Sequence, residues 1–268
     1  MKRFVAISQS SRPGEFYRAR GFSLLEMLIA MVVVLAVMAV VMQGITKMQR
    51  RSFVEGSKVD TVQETRDFID QMVRDVHNVG YPAPKVNPSF NVDCTKLPAT
   101  DNQNVACGLT YFSPTQIKYE ADLDGSGTVY QVWVQVVAGP SGGCPCILQR
   151  GSATKAQVLG GNPPVYFTEV NGVLNSGDGA GNATFAISLP GSGSYTSYGT
   201  ADVFTSYDTN ANLNPAGTLC ASASACSSIR SLQITGNVVP SFIDNATNTF
   251  QVTSITSKVR LNNVAIGN

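Results

Sequence analysis

Six cysteines, a single histidine and a few loop carboxylates are the residues with chemistry to offer in this 268-residue sequence. The cysteines are Cys94, Cys107, Cys144, Cys146, Cys220 and Cys226, and none falls within residues 1–93. Their pairing is not fixed by the sequence. Cys94–Cys107 and Cys220–Cys226 would each close a short loop in a turn-rich stretch. Cys144-Pro145-Cys146 would either close on itself, a geometrically demanding bond, or reach a distant partner. Zinc is disfavoured, because paired Cys-x-x-Cys spacing is missing and no histidine is close by. A redox site at Cys144 and Cys146 is equally weak. Asp122-x-Asp124-Gly125-Ser126-Gly127 looks like part of a calcium loop, since oxygens of Asp122, Asp124 and Ser126 can share one hard cation. A full loop of that type closes on a glutamate, and Trp133 occupies that position here. A hairpin turn shaped by Asp and Gly explains the same residues and is preferred. Asp178 and Asp208 also lie in loops, with nothing to tie them to this one. Any Ser–His catalytic scheme would need His77, so no enzymatic role is expected.

The rest of the composition says what must position these residues. Charged residues are 14% of the chain, apolar ones 43%, and the net charge is +1. That balance gives no reason to expect nucleic acid as a partner. The charge is unevenly placed. Lys2, Arg3, Arg12, Arg18 and Arg20 face only Glu15 in residues 1–21, a surplus of four, so residues 22–268 carry −3. Gly, Ser, Thr and Asn are abundant after residue 80, the look of a neutral, exported, turn-rich β domain. The length allows one large domain or two small ones.

Residues 22–42 contain one charge, Glu26, followed by an unbroken apolar run over 27–42. As a helix this stretch would be about 31 Å long, enough to cross a hydrocarbon core. The cationic leader favours a membrane span over a buried soluble helix, and it should stay on the cytoplasmic side. A secretory signal would be cut after the apolar run at a small-x-small motif. Ala36-Val37-Met38-Ala39 offers little of that kind. The unusual residues lie before the run instead, in Arg20-Gly21-Phe22-Ser23-Leu24-Leu25-Glu26.

Gly21, Phe22, Leu24, Leu25, Glu26 and the apolar helix after them resemble type IV pilins and the pseudopilins of type II secretion. The resemblance implies that a prepilin peptidase cuts between Gly21 and Phe22 and that the new Phe22 amine is N-methylated. An ionisable residue inside a span costs roughly 2.5–3.5 kcal/mol on insertion scales, so it usually has a partner. Cleavage would place a positive amine four residues from Glu26, in its own chain or in a neighbour within a filament. Hydration at the headgroup boundary is the plainer alternative for Glu26, since a first helical turn tolerates acid.

After Met42 the chain turns polar but has no proline until Pro82. Val59, Val62, Phe68, Ile69, Met72, Val73, Val76 and Val79 recur at spacings of three, four and seven, which predicts one helical stripe facing a core. Lys58, Asp60, Glu64, Arg66, Asp67, Asp70 and Arg74 are left for solvent. Gly80-Tyr81-Pro82 is a stop signal, and Gly44 is the expected soft point of the long helix. The helix end from Met72 to Tyr81 is similar to that of PilW-type minor pilins. His77 reads as a helix C-terminal cation or a packing residue rather than a ligand.

Beyond residue 82, strands are expected at 115–120, 128–137, 146–150, 164–170, 184–189, 201–207, 229–239 and 249–262, with long loops at 174–182, 190–200 and 208–228. Islands at 117–129, 148–150 and 252–263 also resemble PilW-like proteins, although Asn262-Asn263 stands where Arg-Asn is usual. The expected fold is α+β and pilin-like: leader peptide 1–21, a long N-terminal helix over 22–80 with 22–43 transmembrane, and an exported β-rich domain over 81–268. The resemblance implies a minor pilin that assembles with other pilins, a prepilin peptidase and an inner-membrane assembly platform. A J-type pseudopilin of type II secretion, a membrane-anchored calcium-dependent adhesive module and an uncleaved single-pass protein are the alternatives.

Overall fold

The computed structural model describes residues 21–82, 103–214, 220–221, 223–244 and 247–261. One helix, α1 (Leu24–His77), dominates its N-terminal part. The chain divides into two compact units inside that helix, at Gln49/Arg50.

In the first unit every described residue is exposed. The apolar stretch of α1 is long enough to cross a membrane, and none of it is buried. An exposed Leu, Ile, Val or Met forgoes about 1.5–3 kcal/mol of burial. A run of them from Leu24 to Val41 is therefore stable only in lipid or against other apolar helices. The helix continues through Gly44, so the expected soft point is regular helix.

The second unit holds the rest of α1 and an antiparallel sheet. Strands β1 (Leu109–Phe112), β2 (Gln116–Ala121), β3 (Tyr130–Val137), β4 (Cys146–Thr154) and β5 (Tyr166–Val173) pair in chain order. The sheet then passes through the single pair Val173↔Val238 to β7 (Ser231–Val238). β6 (Phe204–Tyr207) and β8 (Thr253–Arg260) both pair with β7. A short helix, α2 (Lys155–Leu159), follows β4 directly. Its capping box joins Thr154 and Gln157, which satisfies two amides that the helix start would otherwise strand.

The apolar stripe of α1 faces this sheet. Thr65, Phe68, Ile69, Met72, Asp75 and Val76 are buried, and Val79 continues the line past the helix end. They meet Ile117 and Tyr119 of β2, Val132 and Val134 of β3, and Leu148 of β4 in one core. Gly236 on β7 lets the helix come close, since a Cβ there would stand 3.0 Å from the Thr65 methyl. The α+β, pilin-like architecture read from the sequence is the one found.

One buried position on the stripe is charged. Arg150 of β4 pairs with Asp75 at 2.6 Å, and the Tyr119 hydroxyl donates to the same carboxylate oxygen at 3.0 Å. After Val79, Gly80 takes a positive φ of 77°, and its amide donates to the Glu120 carbonyl. The helix thus ends by joining β2.

Besides Gly44, and a helical turn at Ala223–Cys226 within the expected loop 208–228, the structure departs from expectation elsewhere. Val59 is 60% exposed and belongs to no core; the stripe begins at Thr65. Residues 184–189 form no strand, although Phe185, Ile187 and Leu189 alternate inward as expected. Their backbone finds single partners instead, Ser176 for the Thr184 amide and Cys144 in a lone bridge to Ile187. Alternating burial came from packing without a ladder. The expected loop 190–200 winds into a short 3-10 turn (Ser192–Tyr195) and one helical turn (Thr196–Gly199). Strand β1 and helix α2 were not anticipated, because four and five residues are too few to display a period.

Replacing Asp75 by Ala should strand the Arg150 guanidinium beneath the helix and cost about 3–5 kcal/mol. Denaturant unfolding of the full chain in detergent measures it. The double change Asp75→Ala/Arg150→Met should recover part of the loss.

Candidate processing and assembly site

Gly21, Phe22 and Ser23 precede the helix in open chain. The Ser23 carbonyl accepts the first helical bonds, from the amides of Glu26 at 3.0 Å and Met27 at 3.1 Å. The Gly21–Phe22 peptide therefore lies outside the helix. No described atom lies within 4 Å of the point where a Cβ on Gly21 would stand, and Phe22 is 77% exposed. Glu26 falls in the first turn, where unsatisfied backbone N–H groups favour an acid. Ser23-Leu24-Leu25-Glu26 also has the spacing of a capping box, a signal that the motif reading passed over. Leu24 and Leu25 on either side of the turn are exposed and apolar. Glu26 is thus the one carboxylate on an otherwise greasy surface.

The cysteines carry no free thiol among the described residues. Cys144 bonds Cys146 with a Cα separation of 4.1 Å, which selects the closure within the motif over a distant partner. Cys220 bonds Cys226, and its backbone bridges Phe112, so the disulfide clips this loop to the edge of β1. Cys107 is also disulfide-bonded, while Cys94, its expected partner, lies outside the described residues. These bonds staple loops to the sheet and hold no reactive sulfur.

The turn between β2 and β3 spends its carboxylates on itself. Asp122 accepts from the amides of Gly125 at 2.9 Å and Gly127 at 2.8 Å. Asp124 accepts from the Ser126 amide at 3.0 Å and the Tyr130 hydroxyl at 3.3 Å. Ser126 hydrogen bonding, foremost among several such bonds, holds the Asp124 carboxyl below the usual carboxylate range. The Ser126 hydroxyl accepts from Thr128. Asp178 and Asp208 behave alike in their own loops. Each accepts from amides two and four residues on, and these bonds, with those of the neighbouring Asn side chains, lower their pKa values. The structure does not gather these acids: no group of three or more His, Cys, Asp or Glu suited to a metal occurs among the described residues.

Two buried polar clusters escaped the sequence reading. Glu120 and Lys155 pair at 2.7 Å with side chains 1% and 0% exposed. The Glu120 carboxylate also accepts from the Cys107 amide and the Gln131 side chain, and Lys155 donates to the Val105 carbonyl. The pair therefore fastens α2 and the segment around Cys107 onto β2. Its sequence signal was the Thr154-x-x-Gln157 capping box, which places Lys155 at the first helical position. The second cluster is Asp75–Arg150–Tyr119, in which burial, and then the Asp75 charge, push the phenol well above its usual pKa. Neither cluster opens to solvent or approaches a nucleophile. His77 is exposed in the last turn of α1, a place that suits a cation.

A groove of about 680 Å³ runs between residues 52–64 of α1 and a wall made by Pro145, Pro240, Phe242 and Phe250. Asp60 and Glu64 are its acids.

Changing Asp122 to Ala removes the acceptor of the Gly125 and Gly127 amides from the turn between β2 and β3. A loss of about 1–3 kcal/mol is expected, read as a lower melting temperature of the full chain.

Residues 17–42 match the family model of the prokaryotic N-terminal methylation motif. No curated protein and no solved structure matched the chain. The matched segment contains Gly21, Phe22, Glu26 and the exposed apolar half of α1. This is the signal of prepilins, whose general partners are prepilin peptidase and other pilins. Residues 17–42 thus carry a prepilin-type signal, followed by a helix long and apolar enough to cross a membrane.

Proposed function

We propose that this chain is a minor pilin of the PilW type, cut between Gly21 and Phe22, N-methylated at Phe22 and built into a type IV pilus. The supporting observation is one continuous helix whose first part is exposed and apolar apart from Glu26 and whose last part is docked on a folded domain. The apolar part dissolves the subunit in the inner membrane, with the β domain on the outer side. On assembly it exchanges lipid for the helices of neighbouring pilins. The Phe22 amine, of the same chain or of a neighbour, neutralises Glu26. A charge that is costly in lipid thereby selects the assembled state. The exported domain is large and rich in loops, which suits a component of low copy number that initiates or caps the filament. Calcium has no part in this reading, and millimolar calcium is expected to leave the melting temperature unchanged.

Intact-mass analysis of protein from its native host tests the processing step. A chain beginning at methylated Phe22 is expected; a retained Met1 would overturn the proposal. Glu26→Gln tests assembly separately. It should leave cleavage and membrane anchoring intact and reduce incorporation into fibres at least tenfold, measured by immunoblot of sheared pili. Incorporation equal to wild type would mean that Glu26 serves only the helix start. Loss of exoprotein release without loss of pili, on deletion of the gene, would assign the chain to type II secretion instead.

A further inference from the structure

The face of the β1–β5 meander turned away from α1 carries one transverse row of side chains. Strand register sets Tyr111 opposite Lys118, Lys118 opposite Trp133, Trp133 opposite Gly151, and Gly151 opposite Tyr166. The Lys118 ammonium lies 3.9 Å from the centroid of the Trp133 ring and 5.6 Å from that of Tyr111. Gly151 has no side chain, and the Pro164–Val165 chain packs against it; the Trp133 and Tyr166 rings are tilted toward each other with centroids 6.4 Å apart. The next row is polar. Gln116, Gln135 and Gln149 lie side by side, linked through their amides at 3.1 and 3.4 Å. All these side chains are partly exposed.

We propose that this face binds an anionic polysaccharide of the uronic-acid type. Aromatic rings on a sheet offer flat apolar surfaces that suit the C–H faces of sugar rings. The glutamine row beside them offers amide donors and acceptors at strand spacing, which suits hydroxyl groups along a chain. Lys118 decides the charge. Among the described residues it has no carboxylate partner; its charge rests on the two rings alone. Burial already pulls its pKa down. A neutral sugar laid over it offers the ammonium only hydroxyl oxygens in exchange for water, whereas a sugar carboxylate forms the stronger charge-assisted pair. Single-stranded nucleic acid also stacks on aromatic rings, but it needs a cationic groove along its backbone. This face has one lysine, which can meet one carboxylate but cannot line a phosphate backbone. The assignment does not depend on the filament reading.

Trp133 is the only tryptophan in the chain, so its fluorescence reports on this face directly. The full chain in detergent is titrated with polygalacturonate, with dextran and single-stranded oligothymidine as comparisons. A saturable change in emission with polygalacturonate, and none with dextran, is expected. Lys118→Gln should weaken binding about tenfold or more while Lys118→Arg retains it. Lys258→Gln, which removes a cation from over Tyr207, should have no effect. Melting curves confirm that each variant is folded. The proposal fails if polygalacturonate does not bind, if dextran or the oligonucleotide binds as well, or if Lys118→Gln and Lys258→Gln behave alike.

Discussion

Beneath the lower part of α1, a single carboxylate and a single guanidinium meet in an otherwise apolar interface. Asp75 and Arg150 are each about nine-tenths buried, and Tyr119 completes the set. Phe68, Ile69, Met72 and Val76 supply the adhesion, which is non-directional and would tolerate sliding of the helix along the sheet. The ion pair does not tolerate it, because a displaced helix would leave two buried charges without partners. Everything that follows α1 starts from this docking: Gly80 and Tyr81 join the end of β2, and the sheet then grows strand by strand.

A second buried pair extends the same logic to the next residue of β2. Glu120 and Lys155 draw together the end of β4, the start of α2 and the chain around Cys107. Backbone groups satisfied by these side chains would otherwise be buried and unpaired. Disulfides do comparable work where the sheet has little to offer, at the 144–146 turn and at the loop that ends beside β1. The domain is rich in Gly, Ser and Asn, so its loops need such fastenings; several supply them locally through Asp side chains that fold the backbone around themselves.

Opposite demands act on the first part of α1. It carries no stripe because it has no single partner: the apolar side chains cover the whole circumference, as suits a helix surrounded by lipid or by other helices. Glu26 is the exception on that surface, and it sits one turn from Phe22 within the matched signal. The same helix thus changes from all-round to one-sided hydrophobicity along its length.

The N-terminal signal, the span and the helical stripe were legible in the sequence because each depends on neighbours in the chain. Periods of three and four survive in any one-dimensional reading. The strongest strands were legible for the same reason, β3 above all, where valines alternate with Gln131, Trp133 and Gln135. Asp75 was not, although its spacing from Phe68 and Met72 put it on the buried face, because only the fold shows that Arg150 stands across from it. The segment 184–189 alternates like a strand, yet its backbone finds only single partners in Ser176 and Cys144 and forms no ladder. The aromatic row is likewise invisible in order: Tyr111, Lys118, Trp133 and Tyr166 are spread over more than fifty residues and become neighbours only through register. Local pattern decided which segments bury a face. Long-range pairing decided which charges meet and which side chains share a surface, since those depend on distances that the chain order does not contain.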